Sequence, residues 1–282
     1  MFVFSAVRFG RRRAMIRDGN PNAEEDLVRN PFLRAIAIAV TVLLCSGGVA
    51  PVVRAQNAGD VPPSPRALLR AMTDYLGAED AFSFHMETNF EIFDRGQKLQ
   101  FAGAADIQVR RPDGLAIDYR DDLSAKRVWY DGSQLTLVDS QAGVFASMQA
   151  PSNLDDALDQ FERRYGLVMP LTDLLGADAY TLIASRVQSA SYVGLHDVGG
   201  EACHHLAFVG ESADLQLWIR SGDSPAPCKL VVDYKEEPGR PEYVAVMMDW
   251  KFGQPIPKSR FEAVIPDGTR KIEFLKIEEA RR

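Results

Sequence analysis

The sequence predicts a mainly β (α+β) fold, a strongly curved antiparallel half-barrel of about ten strands with a helical lid. Three observations predict it. Apolar and polar residues alternate with a period of two over most of the chain from Phe82 to Phe252. Turn sequences separate the runs, among them Asp94-Arg95-Gly96, Pro112-Asp113-Gly114, Asp131-Gly132, Gly199-Gly200, Gly222-Asp223 and Pro238-Gly239. Helical spacing is confined to a segment before the first strand, an insert in the middle and a short tail.

The 282 residues are 46% hydrophobic and 25% charged, with a formal net charge of −7. That excludes collagen, a disordered polymer, a coiled coil and a multi-span membrane protein. The acidic balance argues against nucleic acid, whose phosphates require a basic surface. The run Ala35–Ala50 follows Arg29 and Arg34 and is itself followed by small residues. A charged flank, a short apolar stretch and a small-x-small exit such as Val53-Arg54-Ala55 describe a secretory signal. Residues 1–55 are therefore read as a signal peptide with an N-terminal extension, the alternative being an uncleaved anchor, and the destination as the periplasm. Cys45 follows the bulky Leu44, so it does not resemble a lipid-attachment cysteine. Removing residues 1–55 takes away eight basic and four acidic side chains, leaving 24 against 35, a net −11. No stable membrane span is expected after that removal.

Residues 56–64 read as a linker and 65–265 as the half-barrel domain. Ser64 and Pro65 start a helix whose apolar face holds Leu68, Met72 and Leu76, with Gly77 as its stop. Long strands follow at Phe82–Phe93 and Leu99–Val109, then shorter ones at Leu115–Tyr119, Arg127–Tyr130, Gln134–Val138 and Val144–Met148. Strands of a dozen residues span about 40 Å and curl when only one face is apolar, so the concave side needs a cover. The insert at about 152–187 supplies it. Ser152 or Asn153 caps a helix with Leu154, Ala157, Leu158, Phe161 and Tyr165 on one face, and Pro170–Leu175 and Ala179–Val187 form a second helical pair. The sheet resumes at Tyr192–Val198, His204–Val209, Asp214–Arg220, Lys229–Tyr234 and Tyr243–Phe252. In this last strand Val244, Val246, Met248, Trp250 and Phe252 are assigned to the apolar face and Tyr243, Asp249 and Lys251 to the wet one. Phe261–Ile265 is expected as an edge strand, and the tail 266–282 as carrying a short helix.

Chemistry-bearing clusters are few. In Cys203-His204-His205 only Cys203 and His205 share a strand face, and no spaced third ligand follows, so neither a metal nor a cofactor is expected. Export favours a Cys203–Cys228 disulfide. An intervening strand and opposite strand faces disfavour it, unless a bulge or loop end relieves both objections. There is no Gly-x-Ser-x-Gly elbow, phosphate loop or dinucleotide fingerprint, and the expected class is not an enzyme. The apolar inventory is richer. Phe82, Phe84, Met86, Phe90, Phe101, Met248 and Trp250 from the sheet, with Leu158 and Phe161 from the insert, are the candidates to line a ligand cavity that a short cover leaves incompletely filled.

The helix Pro65–Gly77, the strand Phe82–Phe93, Trp129-Tyr130-Asp131-Gly132, Cys203–Phe208, Leu215–Ile219 and Asp249-Trp250 together resemble a bacterial family of predicted periplasmic proteins of unknown function. That family is similar to the lipoprotein carriers typified by LolA and LolB. The resemblance spans about Ala67 to Phe261. It implies a LolA-like open half-barrel with a helical lid over an apolar cavity and implies no reaction. The expected function is binding or carriage of a lipid or other hydrophobic small molecule. The alternative is an envelope interaction or sensor module that uses the half-barrel to dock a protein.

Overall fold

The computed structural model describes residues 62–165, 174, 176 and 179–274. The signal segment, most of the linker, the helix expected at Pro170–Leu175 apart from Leu174, and the end of the tail lie outside the described residues.

Twelve strands form one curved open sheet. In chain order they are β1 (Ala81–Asp94), β2 (Gln97–Arg110), β3 (Gly114–Asp121), β4 (Ala125–Tyr130), β5 (Gln134–Asp139), β6 (Val144–Gln149), β7 (Val187–Val198), β8 (Glu201–Gly210), β9 (Ala213–Arg220), β10 (Pro227–Tyr234), β11 (Glu242–Phe252) and β12 (Arg270–Lys271). The spatial order is β12-β6-β5-β4-β3-β2-β1-β11-β10-β9-β8-β7. Two antiparallel meanders therefore meet where β1 pairs with β11, and only the two-residue β12 runs parallel to its neighbour. The hairpin of β1 and β2 is paired along its full length, from Ala81 opposite Arg110 to Asp94 opposite Gln97.

Among the described residues three helices accompany the sheet: α1 (Pro65–Ala78), α2 (Leu154–Tyr165) and α3 (Ala179–Ala184). At the start of α1 the Ser64 hydroxyl accepts the Ala67 amide at 3.4 Å, and the helix runs one residue past Gly77. Asn153 caps α2, accepting the Asp155 amide at 2.8 Å, which satisfies a backbone donor that the helix itself leaves free.

Several boundaries differ from the sequence pattern. The helix expected to reach Val187 ends at Ala184, and β7 begins at Val187 rather than Tyr192. Phe261–Ile265 is not a strand. Phe261 is instead fully buried as a plug, with the Arg110 guanidinium 4.7 Å above its ring. Gly114 makes room for it, since a Cβ there would sit 2.9 Å from the ring. The edge strand is β12, and Ile272–Phe274 continue from it without helix.

The core is a single large cluster on the concave side. It includes Leu69, Met72 and Leu76 of α1, Leu154, Ala157, Leu158 and Phe161 of α2, and the inward residues of both meanders. The insert is thus not the sole cover, because α1 contacts α3, β7 and β9 over the C-terminal meander.

Candidate functional site

The concave face is built by strand alternation. On β1, Phe82, Phe84, Met86 and Thr88 point inward and are almost fully buried. Their partners Val109, Ile107, Ala105 and Gly103 on β2 share that face, as do Leu115, Ile117 and Tyr119 on β3. Further along β1, Phe90 is half-buried and stacks on Phe101 with ring centroids 5.6 Å apart.

The last long strand does not keep one phase. Its first half turns Tyr243, Ala245 and Met247 inward, opposite Phe90, Thr88 and Met86. The pairing then slips by one residue between Ser83 and His85, and Asp249 takes a left-handed conformation with φ 56°. That bulge swings Trp250 and Phe252 back to the concave face. Met248 is left opposite His85 on the outer face, so it does not line the concave side as the alternation implied. Tyr243, read from the sequence as wet, is buried for the same reason. Apolar residues in both phases of one strand were the available signal for a bulge.

Aromatic rings fill the end of the concave face nearest the β1 start. Phe84 lies on Trp250 at 4.2 Å, Trp250 on Phe252 at 5.3 Å, and Tyr75 of α1 meets Phe252 edge-on at 5.1 Å. The insert helix sits further along the N-terminal meander. The Tyr130 hydroxyl donates to the Pro151 carbonyl, the Leu154 amide donates to the Pro112 carbonyl at 2.8 Å, and the Gln160 side chain donates to the Gln149 carbonyl at 3.1 Å. Leu158 and Phe161 are buried there, and Phe161 packs edge-on against Phe274 at 5.3 Å. Phe101, a cavity-lining candidate from the sheet, has Phe90 as its ring partner.

At the centre of the concave face lies a polar cluster that the sequence did not reveal. Tyr243 is 4% exposed and Thr88 1%, and the Tyr243 hydroxyl has no hydrogen-bond partner. The Tyr119 hydroxyl donates to Asp121 at 2.7 Å, and its oxygen accepts from Thr88 beside it. Burial pushes the Tyr243 phenol well above its ordinary range, and the neighbouring Tyr119 and Tyr234 phenols push it further, so it remains a neutral donor.

The outer face carries a second, smaller cluster. Cys203 and Cys228 form a disulfide there, with Cα atoms 6.8 Å apart, beside Trp218 and Val231. Cys228 is the extra residue where β10 slips against β9, between Pro227 and Lys229. The bulge turns it to the outer face and draws the two strands near enough to bridge across the end of β9. His205 stacks on Trp218 at 3.8 Å, its Nε2 meets the Gln216 side-chain oxygen at 3.0 Å, and its Nδ1 lies 3.2 Å from that of His196. With Nε2 donating to Gln216, neutral His205 accepts at Nδ1 from His196. A polar groove of about 250 Å³ near Ser83, Gln108, Lys251 and Arg260 also opens on the outer side. Among the described residues no group of three or more metal-ligating side chains converges, and no helix is long and apolar enough to cross a membrane.

A family profile described as predicted periplasmic protein (DUF2092) matches residues 66–275. The chain belongs to this family. DUF2092 proteins are periplasmic by that description, and the match takes in the whole described sheet. Among curated proteins no sequence match is found. Several solved structures are similar to this DUF2092 chain. The lipoprotein LppX of Mycobacterium tuberculosis is 16% identical, with 69% of this chain and 99% of that one covered and a TM-score of 0.40. A LolA superfamily protein of Nitrosomonas europaea is 10% identical, covering 72% and 99%, with a TM-score of 0.36. MucB, in the Pseudomonas aeruginosa MucA/MucB complex, is 12% identical, covering 71% and 61%, with a TM-score of 0.32.

Proposed function

We propose that the chain binds and carries a hydrophobic ligand on its concave face, beneath the helices. One observation carries this reading. Apart from the central cluster around Tyr243 and Thr88, the inward face is apolar from Leu115 on β3 to Leu206 on β8, and what covers it is short amphipathic helices rather than a second sheet. A cover of that kind moves at lower cost than a packed sheet, because each helix is attached by few backbone bonds. Aromatic and Met side chains such as Phe84, Met86 and Trp250 suit an adaptable apolar lining. The periplasmic location of the family supports this reading, since a carrier would work between two membranes. Non-enzymatic binding is the mode this supports.

The test is uptake by delipidated protein of N-phenyl-1-naphthylamine and of a panel of fatty acids, acylglycerols and phospholipids. Saturable binding of at least one class is expected. Failure to bind any of them would remove the proposal.

A second reading has its own observation. Strand β7 ends the sheet, and Val193 and Leu195 on it are 49% and 55% exposed. A strand edge unpaired among the described residues, with apolar side chains, suits docking of an extended envelope-protein segment. Leu195→Lys should then abolish a protein contact while leaving lipid uptake intact.

A further inference from the structure

We propose that the hydroxyls of Tyr243 and Thr88 hold the head of the ligand, and that this head is uncharged, as in a monoacylglycerol or a fatty alcohol. This rests on the carriage reading above and specifies the chemistry at its centre.

The placement follows from the register. Thr88 lies opposite Gly103 on one side and Ala245 on the other, and Tyr243 lies one inward step away, opposite Phe90. The floor at this point is made of small residues. A Cβ on Gly103 would come within 2.9 Å of Asp121 Cβ and 3.0 Å of Thr88 Oγ1, so no larger side chain fits there. Larger apolar groups flank this stretch on both sides, Phe84 and Met86 toward the start of β1 and Phe90 with Phe101 toward its end. The centre is therefore a polar spot between two apolar stretches.

Both hydroxyls at this spot are buried, and that of Tyr243 has no partner. Buried polar groups in folded proteins are paired as a rule, and an exception calls for a partner that arrives from outside the fold. Tyr119 gives its own proton to Asp121, and its oxygen is taken by Thr88. A hydroxyl, ester or ether oxygen on a bound amphiphile would accept from Tyr243, and a head hydroxyl would donate to the Thr88 oxygen.

The charge of the head follows from what faces it. Asp121 takes the Tyr119 proton at 2.7 Å, and its Cβ and Thr88 Oγ1 crowd the same point beside Gly103, so a carboxylate already stands at this spot and disfavours a further negative charge. A fatty-acid carboxylate or a phosphate would be repelled at this position, and a neutral head would not.

The experiment displaces N-phenyl-1-naphthylamine from the delipidated full-length protein with 1-monooleoylglycerol and, separately, with oleate. The expected wild-type result is displacement by the monoacylglycerol at a concentration at least tenfold lower than by oleate. Tyr243→Phe and Thr88→Val keep the shape of each side chain and remove only the hydroxyl group's bonding. Each should reduce the ratio of the two displacement concentrations several-fold, and the double variant should abolish the preference. A wild-type preference for oleate, or a ratio unchanged in both variants, would overturn the head assignment while leaving carriage standing. Absence of reporter and lipid binding in the wild type would overturn both. A solved structure with an ordered water satisfying Tyr243 and Thr88 in the lipid-loaded protein would likewise overturn the assignment.

Discussion

Phe84 and Trp250 lie face to face, with ring centroids 4.2 Å apart and planes 18° from parallel. The indole Nε1 donates to the Pro227 carbonyl at 3.1 Å, which fixes the ring against rotation and ties β11 to β10. Phe82 at 6.0 Å and Phe252 at 5.3 Å extend the contact into an aromatic layer under α1. The layer exists only because of the bulge at Asp249.

Inserting one glycine between Asp249 and Trp250 should therefore remove the layer. With the bulge in place, Trp250 and Phe252 would each move on by one residue relative to Met247 and point to the outer face. A loss of about 3–5 kcal/mol is expected, as for truncation of a large core aromatic, together with a red shift of tryptophan emission. Asp249→Gly should act in the opposite direction by about 0.5–1 kcal/mol, since glycine adopts the left-handed conformation without steric cost. Urea titration of the two variants checks both signs.

Phe161 is 1% exposed and rests edge-on against Phe274. If α2 only completes a core, Phe161→Ala should cost about 3–5 kcal/mol. If α2 gates the concave face, the loss should fall below that range and reporter uptake should change. The second outcome is expected. A full-sized loss with unaltered uptake would count against a gate.

The Cys203–Cys228 bridge closes a loop with a sequence separation of 25. Constraining a loop of that length in the unfolded chain stabilises the fold by about 3 kcal/mol. The Cys203→Ala/Cys228→Ala double variant should lose about that much in urea, and reducing agent should destabilise the wild type but not the variant.

Burial holds the His205 imidazole below its ordinary 6.5, and the nearby His196 and Lys229 act in the same direction, against an opposing bond from Gln216. The unfolded chain then takes up the proton more readily than the folded one. The stability this group contributes is present above 6.5 and is lost as pH falls below that value toward the folded pKa. His205→Gln should show a smaller drop in urea midpoint than the wild type between about pH 8 and about pH 5, where the histidine changes charge. An equal drop in the two proteins would assign the acid sensitivity to other groups.

The sequence by itself determined the class of the fold, the positions of eleven long strands to within a few residues apart from the early start of β7, and the inward set Phe82, Phe84 and Met86. Alternation with a period of two and glycine turns are local signals, and a chain carries them whatever its neighbours do. The membrane-side location was legible for the same reason, from a contiguous charged and apolar run. What only the tertiary structure decided was the pairing of β1 with β11, the share of the cover taken by α1, and the two bulges. A bulge is one residue of mismatch between two strands distant in sequence, so it appears only when both are placed side by side. One such residue moved Met248 out and Trp250 in. Another carried Cys228 to the face of Cys203. The central cluster of Tyr243, Thr88 and Tyr119 was hidden likewise, because its members come from three strands that only the curved sheet brings to one point.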